Sequence, residues 1–225
     1  MKSKFSNDVL EFFKNLEKNN NRDWFNDNKK EFKKIETDVK KTYASLFNLL
    51  MTHDDVDQFK MFRIYRDVRF SKNKLPYKTH FGGTFHRKKP ELRGGYYLHI
   101  TPNNESFIAT GFWEPNASDL QRIRKEFEMD ATEIREIINN KNFIKHFEKL
   151  EGESLKTAPR GFDKEHTDID LIRMKQFIVT RQFSDDEVLS PNFLEEINES
   201  YKAMRPYFNY MSDILTTDLN GVSLI

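Results

Sequence analysis

An α+β fold is what this chain of 225 residues predicts: a central, mostly antiparallel sheet over about residues 59–115, packed by N-terminal and C-terminal helices. Three observations predict it. Apolar residues recur at three- and four-residue steps through the first fifty positions. From Phe59 the period drops to two. Helical spacing then returns at Ser118 and runs to the C-terminus, with a further strand candidate near 176–183 (FIVTRQF). No repeat, low-complexity linker or composition shift marks a boundary, so residues 1–225 read as a single domain.

The elements follow in order. Ser6 is placed to cap a first helix, with Phe5 and Leu10 as a hydrophobic staple and Val9, Phe13 and Leu16 on its apolar face. The run Asn19-Asn20-Asn21 ends it. One long helix is expected from about Arg22, with Trp24, Phe32, Ile35, Val39, Leu46 and Leu50 recurring along it. KMFRIYRDVRF then alternates, Phe62, Ile64, Val68 and Phe70 against Arg63, Tyr65, Asp67 and Arg69, and reads as a strand with one apolar and one polar face. GGYYLHIT and ESFIATGFWEP follow as strands joined by short Gly, Pro and Asn links. Ser118 with Gln121 has the spacing of a capping box, and Asp130 with Glu133 opens a second helix. Phe143, Phe147 and Leu150 form a short apolar face, and DLIRMK a helical turn. Ser190-Pro191 opens the last helix, which Pro206 should kink or split.

Composition bounds the function. The chain has no cysteine, which excludes disulfides, thiolate metal sites and a cysteine nucleophile, and fits a reducing cytoplasm. No window approaches the ~18 apolar residues of a membrane span, and the N-terminus lacks a signal-peptide core. A cytoplasmic protein with no membrane partner is expected. The 21 Phe and 8 Tyr must supply much of the core. Net charge is only +1, yet 11 of the 37 basic residues and only 2 of the 36 acidic ones lie between Lys60 and Arg93. That segment has a surplus of nine positive charges, and the rest of the chain a deficit of eight. Such asymmetry points to an anionic partner, although neighbouring acidic helices would neutralise it equally well.

Arg63, Arg66, Arg69, Lys72, Lys74 and Lys78 make the strongest cluster. Guanidinium forks and ammonium groups suit phosphate or carboxylate, and Gly82-Gly83 would let backbone N–H groups approach the same anion. Asp67 between Arg63 and Arg69 offers the plainer reading, a scaffold ion pair. Arg66, among apolar neighbours, calls for an acidic partner or a bulge. His99 and His86 are the candidate acid–base groups, each of which would also serve as an ordinary strand histidine. Tyr97 and Trp113 would wall a ligand. Aromatics interleaved with cations also suit single-stranded nucleic acid, but no recognised motif supports it. Asp67 and Glu114 lack metal-ligand spacing, so no metal is expected, and no cofactor is implied. Ser71-x-x-Lys74 has the serine–lysine spacing of penicillin-binding enzymes, but Leu75-Pro76 follows where a helix should start.

RDVRFSKNKLPYKTH, followed by GGYYLHITP and GFWEP, resembles domain-of-unknown-function family 2461, whose hallmark is an RDxRFSxDKxPYKT-like core. NNNRDWFNDNKKEF, LKTAPRGF and DKEHTD extend the likeness over nearly the whole chain. Asn73 stands where the family usually has Asp, which weakens a catalytic or metal role there. The resemblance implies a single α+β domain and marks Arg66, Asp67, Arg69, Phe70, Ser71, Lys72, Lys74, Pro76, Tyr77, Lys78, Tyr97, His99, Trp113, Pro159 and Gly161 as residues to test. It carries no activity. The expectation is a phosphorylated or carboxylated small molecule held in a basic pocket on the sheet, with enzyme activity left open. The alternative is a nucleic-acid or protein-interaction surface built from the same cations.

Overall fold

In the computed structural model, which describes residues 4–225, three helices open the chain: α1 (Asn7–Lys18), α2 (Arg22–Asp27) and α3 (Lys29–Leu50). Residues 1–3, the start of the stretch read as free of a signal sequence, lie outside that range. Ser6 precedes α1 in an extended conformation but its hydroxyl makes no capping bond. The single helix expected from Arg22 is broken at Asn28. The Asn28 side chain donates to the Trp24 carbonyl at 2.8 Å, a local bond that competes with the helical ladder. Phe32, Ile35, Val39, Tyr43, Leu46 and Leu50 then form the buried stripe of α3.

Five strands follow: β1 (Val56–Met61), β2 (Phe81–Arg87), β3 (Gly95–Ile100), β4 (Ser106–Phe112) and β5 (Phe177–Phe183). They lie side by side in chain order, every pair antiparallel. Between β4 and β5 run α4 (Ala117–Met129), α5 (Thr132–Ile138), α6 (Lys141–Phe147) and α7 (Ile169–Ile172). After β5 come α8 (Asp185–Leu189), α9 (Phe193–Ala203) and α10 (Arg205–Thr216). Asn116, not Ser118, caps α4, accepting from the Asp119 N–H. Ser184 and Glu187 make a complete capping box on α8. Pro206 separates α9 from α10, as its missing N–H requires.

Two readings of the sheet are corrected. KMFRIYRDVRF is not a strand along its length. The ladder ends where the Phe62 N–H donates to the Gly82 carbonyl at 2.8 Å. From there residues 62–80 leave the sheet as an arm. A Tyr65–Tyr77 bridge closes it, with the Arg66 N–H donating to Pro76 O at 2.9 Å and the Lys78 N–H to Ile64 O at 2.8 Å. The strand that takes its place is FGGTFHR, the interior strand β2. Its glycines are there for packing. A Cβ at Gly83 would come within 2.7 Å of the Tyr43 ring, which packs across the sheet from α3.

The helices bury one face of the sheet: Phe81 and Phe85, Tyr96, Leu98 and Ile100, Ile108 and Phe112, Phe177 and Val179. Each fully buried Phe or Leu contributes about 1.5–3 kcal/mol. Tyr43 and Tyr207 hydroxyls donate to the Leu98 and Phe177 carbonyls at 3.0 and 3.1 Å, stitching α3 and α10 to β3 and β5. Within this core sits a charged cluster. The Arg87 side chain is fully enclosed and donates from Nε to Asp54 Oδ2 at 2.8 Å and from Nη1 to Arg93 O at 2.7 Å and Ser212 Oγ at 3.1 Å. Tyr96 and Arg205 complete the shell of Asp54.

Candidate functional site

The opposite face of the sheet stays half open, and the register dictates what it carries. Three cross-strand rows run over it: Gly82–His99–Phe107–Gln182, Thr84–Tyr97–Ala109–Thr180, and His86–Gly95–Gly111–Ile178. Rings gather at the end nearest the arm. His99 stacks on Phe107, centroids 4.6 Å apart at 17°, and Tyr97 lies 5.7 Å from the same ring. Gly82 makes this arrangement possible. A Cβ there would stand 2.7 Å from the Tyr97 hydroxyl. In the space so left, the hydroxyl meets His99 Nδ1 at 2.9 Å.

The arm folds onto that end. His80, the last arm residue before β2, places its ring 4.0 Å from His99. Lys78 Nζ lies 5.3 Å from the Phe62 ring, which lies 6.3 Å from Tyr97. Together with Glu17 of α1 and Asn20 of the α1–α2 link, arm residues Arg66, Asp67, Tyr77, Lys78 and His80 line a recess of about 430 Å³, within the range of small-molecule sites. Asn20 holds the arm by its backbone, donating to Tyr77 O at 3.0 Å and accepting from the Tyr77 N–H at 3.2 Å. Tyr77 stacks on Phe25 at 4.0 Å.

The lining of the recess carries two cations, Arg66 and Lys78, and two carboxylates, Glu17 and Asp67. Among the described residues, no carboxylate forms an ion pair with Arg63, Arg66 or Lys78. Burial lowers the Lys78 pKa, and the charges of Arg63 and Arg66 lower it further. Burial, then Lys78 and Arg66, brings His80 down to about 4. Burial, then His80 and Lys78, brings His99 down to about 3. Both imidazoles are therefore neutral near pH 7. Burial pushes the Tyr97 phenol up to about 12, so it stays protonated beside His99. The arrangement offers cations for an anion, and neutral imidazoles with an O–H for proton exchange. Among the described residues, no group of three or more His, Asp or Glu is gathered for a metal ion.

The sequence-predicted residues divide. Arg66, Asp67 and Lys78 line the recess, with Arg63 close enough to Lys78 to act on its charge, while Tyr97 and His99 lie on the adjoining sheet face against Phe62 and His80. Arg69 does not join them. It is exposed and clasped by Asp67, with bonds of 3.0 and 2.6 Å, so the scaffold pair foreseen as the plainer reading is what forms. Ser71, Lys72 and Lys74 sit at the arm's tip with Phe70, which is 95% exposed, and Lys74 Nζ donates to Val68 O at 2.9 Å. Arg66 finds no buried carboxylate, because the arm has left the sheet where one would be needed. His86 lies at the far end of the open face, its Nε2 2.9 Å from Thr84 Oγ1, beside Trp113. Gly82 and Gly83 offer no backbone cradle, since both sit in the β2 ladder. His80 and Phe62 were missed. The signal for His80 was its distance of two from Lys78, which puts both on one side of a chain about to enter a strand.

An α+β protein with a charged recess beside a half-open aromatic sheet face is thus the class that fold and site define. The chain belongs to the family of conserved hypothetical proteins DUF2461, whose model matches residues 8–210. No curated protein and no solved structure matches it significantly. No helix among the described residues is long and apolar enough to cross a membrane.

Proposed function

We propose that the protein binds a phosphorylated or carboxylated small molecule in the recess between the arm and the end of α1. One observation carries the reading: three cations stand within electrostatic reach of one another with no carboxylate pairing them, and the half-buried Lys78 is their focus. Such an arrangement is costly unless an anion occupies it for part of the working cycle. Arg66 and Lys78 bind the anion, and Tyr77 and His80 wall it, with Phe62 and Tyr97 on the sheet side of Lys78. His80 and His99, neutral and backed by Tyr97, supply an acid–base pair if the bound molecule is turned over. The setting is cytoplasmic, in keeping with the cysteine-free composition.

The test is calorimetric titration with inorganic phosphate and pyrophosphate. Binding is expected at modest salt dependence, weakened ten- to hundredfold by Lys78→Ala, the loss of one charge-assisted contact of about 1.5–3 kcal/mol. Unchanged affinity in Lys78→Ala would overturn the reading. A second reading rests on the arm's tip, where exposed Phe70, with Arg69 5.9 Å from its ring, is flanked by Lys72 and Lys74. A single-stranded nucleic-acid surface there predicts gradual weakening over several tip substitutions and a steep salt slope.

A further inference from the structure

The open face has a second concavity at the end away from the arm. Its floor is made of small residues: Gly95, Ala109 and Gly111 occupy adjacent positions on β3 and β4. Gly111 is required there. It has φ +126°, and a Cβ would stand 2.3 Å from the Phe177 carbonyl oxygen. Tyr97, Trp113 and Ile178 rise around the floor, enclosing about 160 Å³. A cavity of about 150 Å³ lined by apolar side chains accommodates benzene. The trough therefore has room for one aromatic ring, and Trp113, though 58% exposed, stands where it would cover that ring.

Tyr97 lines the trough, and its contacts lead from there to the recess: its hydroxyl meets His99, whose ring lies 4.0 Å from that of the recess residue His80. Gly95 and His99 are four residues apart on one strand, about 13 Å at ~3.3 Å per residue. Lys78 approaches Tyr97 from the recess side through Phe62. We propose that the trough seats a single aromatic ring belonging to the same molecule whose anionic group the recess binds. The ligand class is then an aryl or pyrimidine ring tethered to a phosphate or carboxylate, lying along Tyr97. This inference rests on the anion-binding reading above and adds the ring to it.

Calorimetry on the full chain tests it with two matched pairs: uridine diphosphate against pyrophosphate, and 4-phenylbutyl phosphate against butyl phosphate. At least one ring-bearing anion should bind about tenfold more tightly than its ringless partner, as burial of one ring requires. Whichever pair shows the larger gain identifies the ring as nucleobase or aryl. Ala109→Leu, which fills the floor, should erase that gain and leave pyrophosphate binding unchanged. Should Ala109→Leu fail to fold, Trp113→Ala, at an exposed position, should lose most of the gain. Equal affinities within both pairs, or a gain indifferent to the substitutions, overturns the ring site. If pyrophosphate still binds through Lys78, the anion reading survives that outcome. If neither pyrophosphate nor any ring-bearing anion binds, both fall.

Discussion

The basic segment uses its cations in two opposite ways, and the difference between them separates scaffold from site. Arg87 is sealed in the core, where Asp54 accepts from its Nε and backbone and hydroxyl oxygens accept from its Nη1, while Nη2 has no partner. Arg205 and Tyr96 share the same carboxylate. Lys78, nine residues earlier, is also withdrawn from water but faces two further cations and no ion-paired acid. A buried charge that the fold must keep is matched by the fold itself. A withdrawn charge that the fold leaves unmatched is available to something else.

Breaking each cluster should therefore give opposite signatures. Asp54→Ala strands Arg87 in the core and is expected to cost about 3–5 kcal/mol in chemical denaturation. A loss under about 1 kcal/mol would mean that the cluster is not desolvated. Lys78→Ala should lose ten- to hundredfold in phosphate affinity by calorimetry, while its Tm stays level or rises because like charges are relieved. A Tm that falls as far as that of Asp54→Ala would erase the distinction between the two clusters. Gly82→Ala drives a methyl against the Tyr97 hydroxyl and should cost about 1–3 kcal/mol. In the same variant the Tyr97–His99 bond is lost, visible as a changed His99 ring signal in NMR.

Proton titration sharpens the comparison. His80 and His99 hold folded values of about 4 and 3, against about 6.5 in the unfolded chain. Between pH 6.5 and about 4 the unfolded chain takes up protons that the folded one refuses, so these two residues make stability fall as pH falls through that window. NMR should show both rings neutral at pH 6. Lys78→Met, or bound phosphate, should move His80 upward. The smallest effect on stability is expected at Arg69→Ala, which should leave Tm within error, because the Arg69–Asp67 pair is exposed to solvent.

Much of this was legible in the residues, and the gaps have physical causes. β3, β4 and β5 were readable because GYYLHI, SFIATGF and FIVTRQF alternate large and polar side chains or carry β-branched and aromatic runs. β2 was not. Two glycines occupy its first half, and their reason for being there, the Tyr97 and Tyr43 rings pressed against them, belongs to other segments. The arm was read as strand because FRIYRDVRF does alternate. Alternation describes extended backbone, not a partner, and beyond Arg63 β2 has no residues left to pair with it. The cation cluster was legible as composition, but which cations were free was not. Asp67 was adjacent to Arg69 in sequence, whereas the absence of a partner for Lys78 is a property of the folded surroundings. His80 remained hidden because its neighbour, His99, lies nineteen positions away and meets it only through the β2–β3 register.

Asn20 behaves as a strand one residue long: its amide gives and takes the two bonds that a neighbouring ladder would offer Tyr77. The clamp reads main chain, so its two ends should drift differently over evolution and under mutagenesis. Position 77 is free to exchange one flat ring for another that still stacks on Phe25. Position 20 admits no acid, because a carboxylate has no hydrogen to offer the carbonyl. A minimised version of the domain that discards the leading helices would keep every strand and still lose the binding pocket's shape.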